Sequence, residues 1–474
     1  MSFGSILSIA RTAVLAHQSA IRVTSQNVTN ATVEGYSRQR AEVVTGLPIQ
    51  TPSGIFGTGV MLAGISRTRD EMLDASFRRD TARTAGATMT RDLLGDVEAV
   101  FNEPSESGLG ANLDAFWDSW GDLANAPTSA SARTVVRQRG EQLAERLRAM
   151  NGRLDDAVSD VRARLGESVR DINSFSDQIA SLNERIRNTE ISGQSANDLR
   201  DARDLVVDKL AKIAPVRVIE AADGTAAVIL GGTTLVDTDN PRHFELLEVG
   251  GKTVLSVAGT GRGVADTGGA MGAMLDTLNR DIPATRAKLD TIADAVVTTV
   301  NGMHRRGFSR VGEAAGAPAD WTNADPALRG SRVDFFDPAP GARTARGIAL
   351  SAIVAADSGA VATGYTRNGD GDNQLALDAS ALRERSGVVG GQSISAFYRD
   401  AVADVATRVN AAGRDAAAGA TLVAQADTRR QSVSGVSTDE ELIALMKHQQ
   451  AYSAAARLIK VADEMTQELL SLVR

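Results

Sequence analysis

Apolar residues at both ends of the chain recur at alternating steps of three and four. At the start, Phe3, Leu7, Ala10, Val14, Ile21 and Val28 keep this spacing, interrupted by His17 and Thr24. At the end, Ala451, Ala455, Leu458, Ala462, Met465, Leu469 and Leu472 repeat it. This is the heptad rhythm of helices that pack on other helices. A second row, Leu442, Leu445, Tyr452, Ile459 and Val473, is rotated around the same C-terminal cylinder, so that helix offers two packing faces. One narrow stripe does not hold an isolated helix in water. Periodicity alone leaves two outcomes open: the ends pair as an antiparallel bundle within one chain, or they form a surface for assembly.

Between the ends the pattern changes several times. Gly35, Gly46, Pro48, Pro52, Gly54, Gly57 and Gly59 punctuate an extended or looped stretch, and a helix resumes near Asp70. Leu113, Phe116, Trp117, Trp120 and Leu123 form an aromatic helical face, which reads as a local core and not as a ligand box. Pro127 with Ser129 and Ser131 marks a stop and a fresh helix cap. From Leu143 to Ile186 the apolar positions run as a nearly pure heptad, with one additional four-residue step that relaxes the supercoil. At 1.5 Å per residue such a helix is roughly 65 Å long, which suits a rod and not a compact globule. A turn over 191–197 returns a second helix that ends near Ile213.

From Pro215 the period becomes that of strands. Val216 and Val218, Asp223-Gly224, the run from Ala226 to Leu230 and Gly231-Gly232 predict hairpins of a small β-domain reaching Val257. Helical spacing returns from Met274 to Met303, a second irregular stretch covers 307–366, and helices continue from Gln374 to the end. The expected fold is mainly α with a β-rich insertion, an elongated multi-domain rod. Its expected parts are terminal segments paired as a coiled coil (1–35 and 436–474), a helical bundle (36–215, 270–306 and 367–435) and a β-rich outer domain (216–269 and 307–366).

Composition narrows the chemistry. The chain has 474 residues and no cysteine, which removes disulfides, thiolate metal sites and cysteine nucleophiles together. A net charge of −8, with basic residues scattered among acids, argues against a nucleic-acid surface. No run is long and apolar enough for a membrane span. The N-terminus lacks the basic region and cleavage site of a secretory signal, so export would need another route.

Motif searches end mostly in exclusions. His17, His243, His304 and His448 share no ligand spacing, and Leu247 stands where a zincin's second histidine would fall after His243 and Glu245. Gly251-Lys252-Thr253 lacks the first glycine of a phosphate loop, since Leu246 occupies it. Asn368, Asp370 and Asp372 resemble the opening of a calcium loop without its closing glutamate, so a turn capped at Asp372 or Asn373 is expected there. No catalytic residue, cofactor site or metal site is expected.

Ser25-Gln26-Asn27-Val28-Thr29-Asn30-Ala31 followed by Gly35-Tyr36-Ser37-Arg38-Gln39 closely resembles the signature of bacterial flagellar rod, hook and hook-associated proteins. Leu113 to Trp117, Leu123 to Pro127 and Ala132-Arg133 resemble a segment typical of the family of the first hook-associated protein. Asn197-Asp198-Leu199 with Arg203-Asp204 is similar to that family's helical hairpin. Ser434-Gly435-Val436, Asp439-Glu440-Glu441, Gln449-Gln450-Ala451-Tyr452 and Ala454 to Arg457 are similar to its C-terminal motif. Two departures stand out: Lys447-His448 replaces a large apolar or aromatic residue before the Gln-Gln pair, and no Phe occurs near Met465 or Thr466.

The resemblance implies a non-enzymatic structural subunit of the bacterial flagellum that joins hook to filament. It implies export by the flagellar type III apparatus without a cleaved signal, an extracellular location and terminal helices that pair on assembly. The partners it implies are further copies of the chain in a ring, the hook protein, the next hook-associated protein and an export chaperone on the C-terminal segment. The chain is short for that family, which implies a reduced outer domain. The nominated assembly interface is Phe3, Leu7, Val14, Ile21, Asn27, Asn30, Tyr36, Leu442, Leu445, Tyr452, Ala455, Leu458, Ile459, Met465, Leu469 and Leu472. A hook or distal-rod protein is the alternative within the class, and an axial scaffold carrying an enzymatic insert is the alternative outside it.

Overall fold

The computed structural model describes residues 3–51, 54–265, 267–310, 332–366 and 371–472. Long helices dominate it. In chain order, α1 (Phe3–Asn30) leads into strands β1 (Gln39–Thr45), β2 (Ile49–Thr51), β3 (Gly54–Phe56) and β4 (Val60–Arg67), then α2 (Glu71–Phe101) and α3 (Leu109–Asn125). Next come α4 (Ala130–Ile191) and α5 (Asn197–Ala211), then β5 (Val216–Glu220), β6 (Ala226–Leu230), β7 (Thr233–Asp237), β8 (Asn240–Pro241), β9 (Phe244–Val249) and β10 (Lys252–Val257). Helices α6 (Gly269–Asp276), α7 (Ile282–His304), α8 (Ala352–Ala356), α9 (Gln374–Ala381), α10 (Ile394–Ser434) and α11 (Thr438–Leu472) complete it.

Capping residues set several boundaries. Asp70 accepts from the Met72 and Leu73 amides to start α2, and Ser129 accepts from the Ala132 amide to start α4. At 62 residues, α4 is about 93 Å long, longer than its heptad predicts because the Ser129 cap lies well before Leu143. It runs through both apolar cores. Its first half, with Leu143, Leu147 and Met150, packs against Phe116, Trp117, Trp120, Phe335 and Phe336. Its second half, with Leu165, Ile172 and Ile179, packs against Val207 and Leu210 of α5 and Val228, Leu230 and Val236 of the sheet.

The seam of α4 departs from the expected stripe in its second half. Ser176 and Asn183 are buried there, while Phe175 and Leu182 are only partly so. The reason is what the helix meets. It docks on backbone groups of the β-domain, where Asn183 donates to the Ala226 carbonyl at 2.8 Å and accepts from the Ala226 amide at 3.2 Å. Buried backbone groups need such partners, and a purely apolar stripe supplies none.

The β-domain forms as expected: a four-stranded antiparallel sheet ordered β5-β6-β7-β8, with β9 and β10 as a separate hairpin. Residues 332–366 do not show the β-rich character expected of them. They carry helical turns and isolated bridges, and Val333, Phe335, Phe336, Ile348 and Val354 fill the first core. Glycines, prolines and charges in this stretch mimic strand punctuation, while its aromatic pair completes the Trp117 core. The expected turn at Asp372 is present: its carboxylate accepts from the amides of Tyr365, Thr366 and Gln374. Asn368 and Asp370 lie outside the described residues.

Candidate assembly site: the terminal hairpin and its polar anchor

Helices α1 and α11 pair antiparallel, with Asn27 against Glu441 at one end and His17 against His448 further along. Small residues close the seam. Ala10, Ala16, Ala20 and Val23 are buried on α1, and Ala455 and Ala462 on α11. Two alanine-lined helices approach closely, and close approach leaves large side chains no room between them.

The large apolar residues therefore face outward. Leu442 is 48% exposed, Ile443 63%, Met446 55%, Leu458 49%, Val461 49% and Met465 43%. Leu7 and Leu15 are exposed on α1 in the same way. Of the positions nominated from sequence, Ala455 is buried in the seam, and Val14, Ile21, Leu445 and Ile459 are half-buried. Leu7, Leu442, Tyr452, Leu458 and Met465 are open to solvent. Helical backbone is described at Phe3, Leu469 and Leu472, but their side chains lie outside the described residues, as does Val473.

The signature residues at the end of α1 form a buried polar anchor. Asn27 uses its whole amide: Nδ2 donates to the Gln39 carbonyl (2.8 Å) and to Glu441 (2.9 Å), and Oδ1 accepts from the Tyr36 hydroxyl (2.8 Å) and the Gln39 amide (3.0 Å). An aspartate there would keep the acceptors and lose both donors. Asn30 closes the helix beside the Tyr36 hydroxyl, whose pKa is pushed up to about 12 by burial and then by Asp198 and Asp201. Arg38 donates to Glu441 and Glu440, both at 2.8 Å, and its amide donates to the Ser434 carbonyl, tying α1 to the start of α11.

A second layer fixes this hairpin to the bundle. Asp198, Asp201, Asp204 and Asp208 share one face of α5 and receive donors from residues 37–39 and 67–69, from α2 and from α10. Gln39 reaches Asp198 at 2.7 Å, and the amide and hydroxyl of Ser37 both bond Asp201. Arg67 bridges Asp201 and Asp204 (2.8 Å each), and Arg69 bridges Asp204 and Asp74. Arg78 of α2 binds Asp204 and Asp208, and Arg430 of α10 binds Asp208 at 2.6 Å while lying over the Phe77 ring. Burial would raise the Asp204 carboxyl, but Arg69, Arg78 and Arg67 together hold it well below the usual carboxylate range.

Sequence reading missed this cluster, although its signal was present in the 3-3-4 spacing of the four aspartates. Charges scattered through helices read as solvated faces, and only the fold brings the four arginines onto them. Arg203, the neighbour of Asp204 in the family hairpin, points elsewhere. Fully buried, it holds Asn183, the Gly224 carbonyl and Glu220. Arg133 of the Ala132-Arg133 pair is likewise buried and bonds the Pro127 carbonyl and Thr363.

A groove of about 1370 Å³ lies between α2 and the β-domain, but Arg67, Arg78 and Arg200 on its wall are paired with Asp204, Asp208 and Glu190. Among the described residues no three histidines or carboxylates cluster as metal ligands, and no helix is long and apolar enough to cross a membrane.

Comparison with known proteins agrees with this architecture. Residues 94–318 match the model for the flagellar hook-associated protein FlgK helical domain, and residues 429–472 match that for the C-terminal region of the flagellar basal body rod FlgEFG proteins. The chain is 29% identical to flagellar hook-associated protein 1 of Bacillus subtilis, over 98% of this chain and 97% of the relative. It is 25% identical to the protein of that name from Salmonella typhimurium, over 99% and 100%. The solved structure of the flagellar hook junction protein FlgK from Burkholderia pseudomallei superposes with a TM-score of 0.63 at 17% identity, covering 76% of this chain and 100% of that one.

The helical bundle, the paired termini and these matches together define a flagellar axial structural protein. Within that class the chain carries a match to the FlgK helical domain and is similar along its whole length to flagellar hook-associated protein 1.

Proposed function

We propose that the chain is a non-enzymatic junction subunit that joins the flagellar hook to the filament, with its terminal hairpin in the inner tube. The observation that carries this reading is the inverted hairpin, closed by alanines and lined outside with Leu442, Ile443, Met446, Leu458, Val461 and Met465. Apolar rows of that size on a helix mark a surface that a partner covers. Copies of the same hairpin side by side in a ring would bury them, with hook protein on one side of the ring and the next hook-associated protein on the other. Before assembly the same C-terminal rows suit an export chaperone, and an unsealed hairpin suits unfolding for type III export to the cell exterior.

The three-part division expected from sequence fits this role, once 332–366 is moved to the bundle with which it packs. The paired termini would form the inner tube, the bundle would surround it, and the small β-domain would project. Cells lacking the chain are expected to keep hooks, lose filaments and shed flagellin into the medium, and restoring Leu458→Asp or Met446→Asp chains should leave that phenotype in place. Normal filaments on the deleted cells would refute the junction role.

A further inference from the structure

Asn-Gly occurs three times in the chain, at residues 151–152, 301–302 and 368–369. The last pair lies outside the described residues, and the other two sit within α4 and α7. Glycine weakens a helix interior, and packing does not ask for it at either place. A β-carbon on Gly152 or Gly302 would have nothing within 4 Å, and neither residue has a positive φ. What glycine supplies is an unshielded backbone nitrogen directly after an asparagine. We propose that Asn301-Gly302 is a deamidation site that the fold itself shuts, open while the chain is unfolded and closed once α7 meets Phe335 and Phe336.

Asn301 is 5% exposed and commits its whole amide to one segment. Oδ1 accepts from the amides of Phe335 (3.0 Å) and Phe336 (2.9 Å), and Nδ2 donates to the Phe336 carbonyl (2.9 Å). The helix commits the Gly302 N–H to a carbonyl one turn back. Both reacting groups are therefore held in the folded chain and released in the unfolded one. There the Gly302 nitrogen bonds to Asn301 Cγ as the Cγ–Nδ2 bond breaks, and its proton leaves with Nδ2 as ammonia. Water then opens the resulting succinimide at either carbonyl. The product is an aspartate or, with the main chain rerouted through the side chain, an isoaspartate.

Either product damages the joint that Asn301 makes. An aspartate keeps acceptors for the two amides, but it loses the donor to the Phe336 carbonyl and sets a buried carboxylate against it. An isoaspartate also adds a methylene to the α7 main chain. Phe335 and Phe336, both fully buried against Phe116, then lose the contact that seats them. The pair thus limits how long a chain can stay unfolded and still complete its aromatic core. That limit acts within one chain and stands apart from the junction role.

The test uses the full-length chain carrying Gly152→Ala, which removes the other helical pair, with and without Gly302→Ala. Each protein is held for days at mildly alkaline pH in guanidinium chloride or in native buffer, then diluted to refold. Tryptic peptide 289–305 is scored by mass for amide-to-acid exchange at Asn301, and refolding by the fluorescence of buried Trp117 and Trp120. The denatured Gly152→Ala chain should lose Asn301, and a matching share should fail to regain native fluorescence, while the sample in native buffer keeps both. With Gly302→Ala added, Asn301 should be lost several-fold more slowly in denaturant and refolding should be restored. Since the new β-carbon enters open space, the melting temperature should not fall. Equal loss of Asn301 in native buffer, full refolding of converted chains, or unchanged ageing with Gly302→Ala would overturn the proposal.

Discussion

Phe116, Trp117, Trp120, Phe335 and Phe336 meet in one fully buried aromatic core, whereas the terminal hairpin hides alanines and turns Leu7, Leu442, Ile443, Met446, Leu458 and Met465 outward. Both regions draw on the same kinds of side chain. A fully buried Leu or Met contributes about 1.5–3 kcal/mol, so the bundle realises that gain within one chain, while the hairpin leaves much of it unrealised in the single chain.

Truncating one large side chain in each region puts this contrast at greatest risk. Trp117→Ala is expected to cost about 3–5 kcal/mol in chemical denaturation of the monomer. Leu458→Ala, half-exposed on the hairpin, should stay within about 0.5 kcal/mol. Equal losses would mean that the hairpin's outer rows already serve the monomer, and the contrast would fail.

Asp204→Asn probes the anchor between the two regions. The carboxylate is buried under Arg67, Arg69 and Arg78, and removing its charge strands those cations, at a cost of about 3 kcal/mol. Because its folded-state value lies below the unfolded one, the contribution is present above about pH 4 and is lost as acid protonates the carboxylate. Thermal unfolding at neutral pH should show a large drop for the variant, with release of the terminal segments to protease.

Acid should also reach the bundle core through His304. Its ring is fully buried, Nδ1 bonds the Val333 carbonyl at 2.7 Å and Nε2 accepts from the Ala362 amide at 3.0 Å, an arrangement that only the neutral ring satisfies. Burial lowers its pKa to about 4. The contribution is therefore complete above about pH 6.5 and declines as pH falls towards 4, by about 2–3 kcal/mol. Denaturation midpoints between pH 7 and 4 should follow that slope in the unsubstituted chain and flatten in His304→Gln.

How much of this was legible in the sequence depends on the kind of signal. The helix start near Asp70, the cap at Ser129 and the hairpins after Pro215 could be read because each is local, whereas the heptad from Leu143 to Ile186 marks only part of the 62-residue α4. The terminal seam was legible in part: Ala10, Ala455 and Ala462 of the periodic rows are buried, while Leu7, Leu458 and Met465 of the same rows are exposed. The Asp204 cluster was least legible, because its arginines arrive from residues 67 to 430. Ala455→Leu tests the seam: a larger side chain between close helices should cost about 1–3 kcal/mol and speed tryptic cleavage at Arg457. Unchanged cleavage would place the tight contact elsewhere.

The smallest effect expected separates the hairpin from the bundle by pH. Burial lowers His17, and burial followed by the charges of His17 and Lys447 lowers His448, with Glu441 opposing. No charge from β1 or β4, which pack against α1, bears on His17. Both folded values lie below the unfolded one near 6.5, so the neutral pair's contribution is present above that pH and is lost as pH falls through the folded values. Solvent screening of two half-exposed rings keeps the effect below about 1 kcal/mol. Tryptic cleavage at Arg11 and Arg457 should therefore speed up a few-fold as pH falls below about 6.5, relative to cleavage at Arg164 on the exposed side of α4. His17→Asn should flatten that dependence while leaving the acid response of the bundle, which belongs to His304, in place. A hairpin that loosens only in step with the bundle would show that the two regions unfold as one unit.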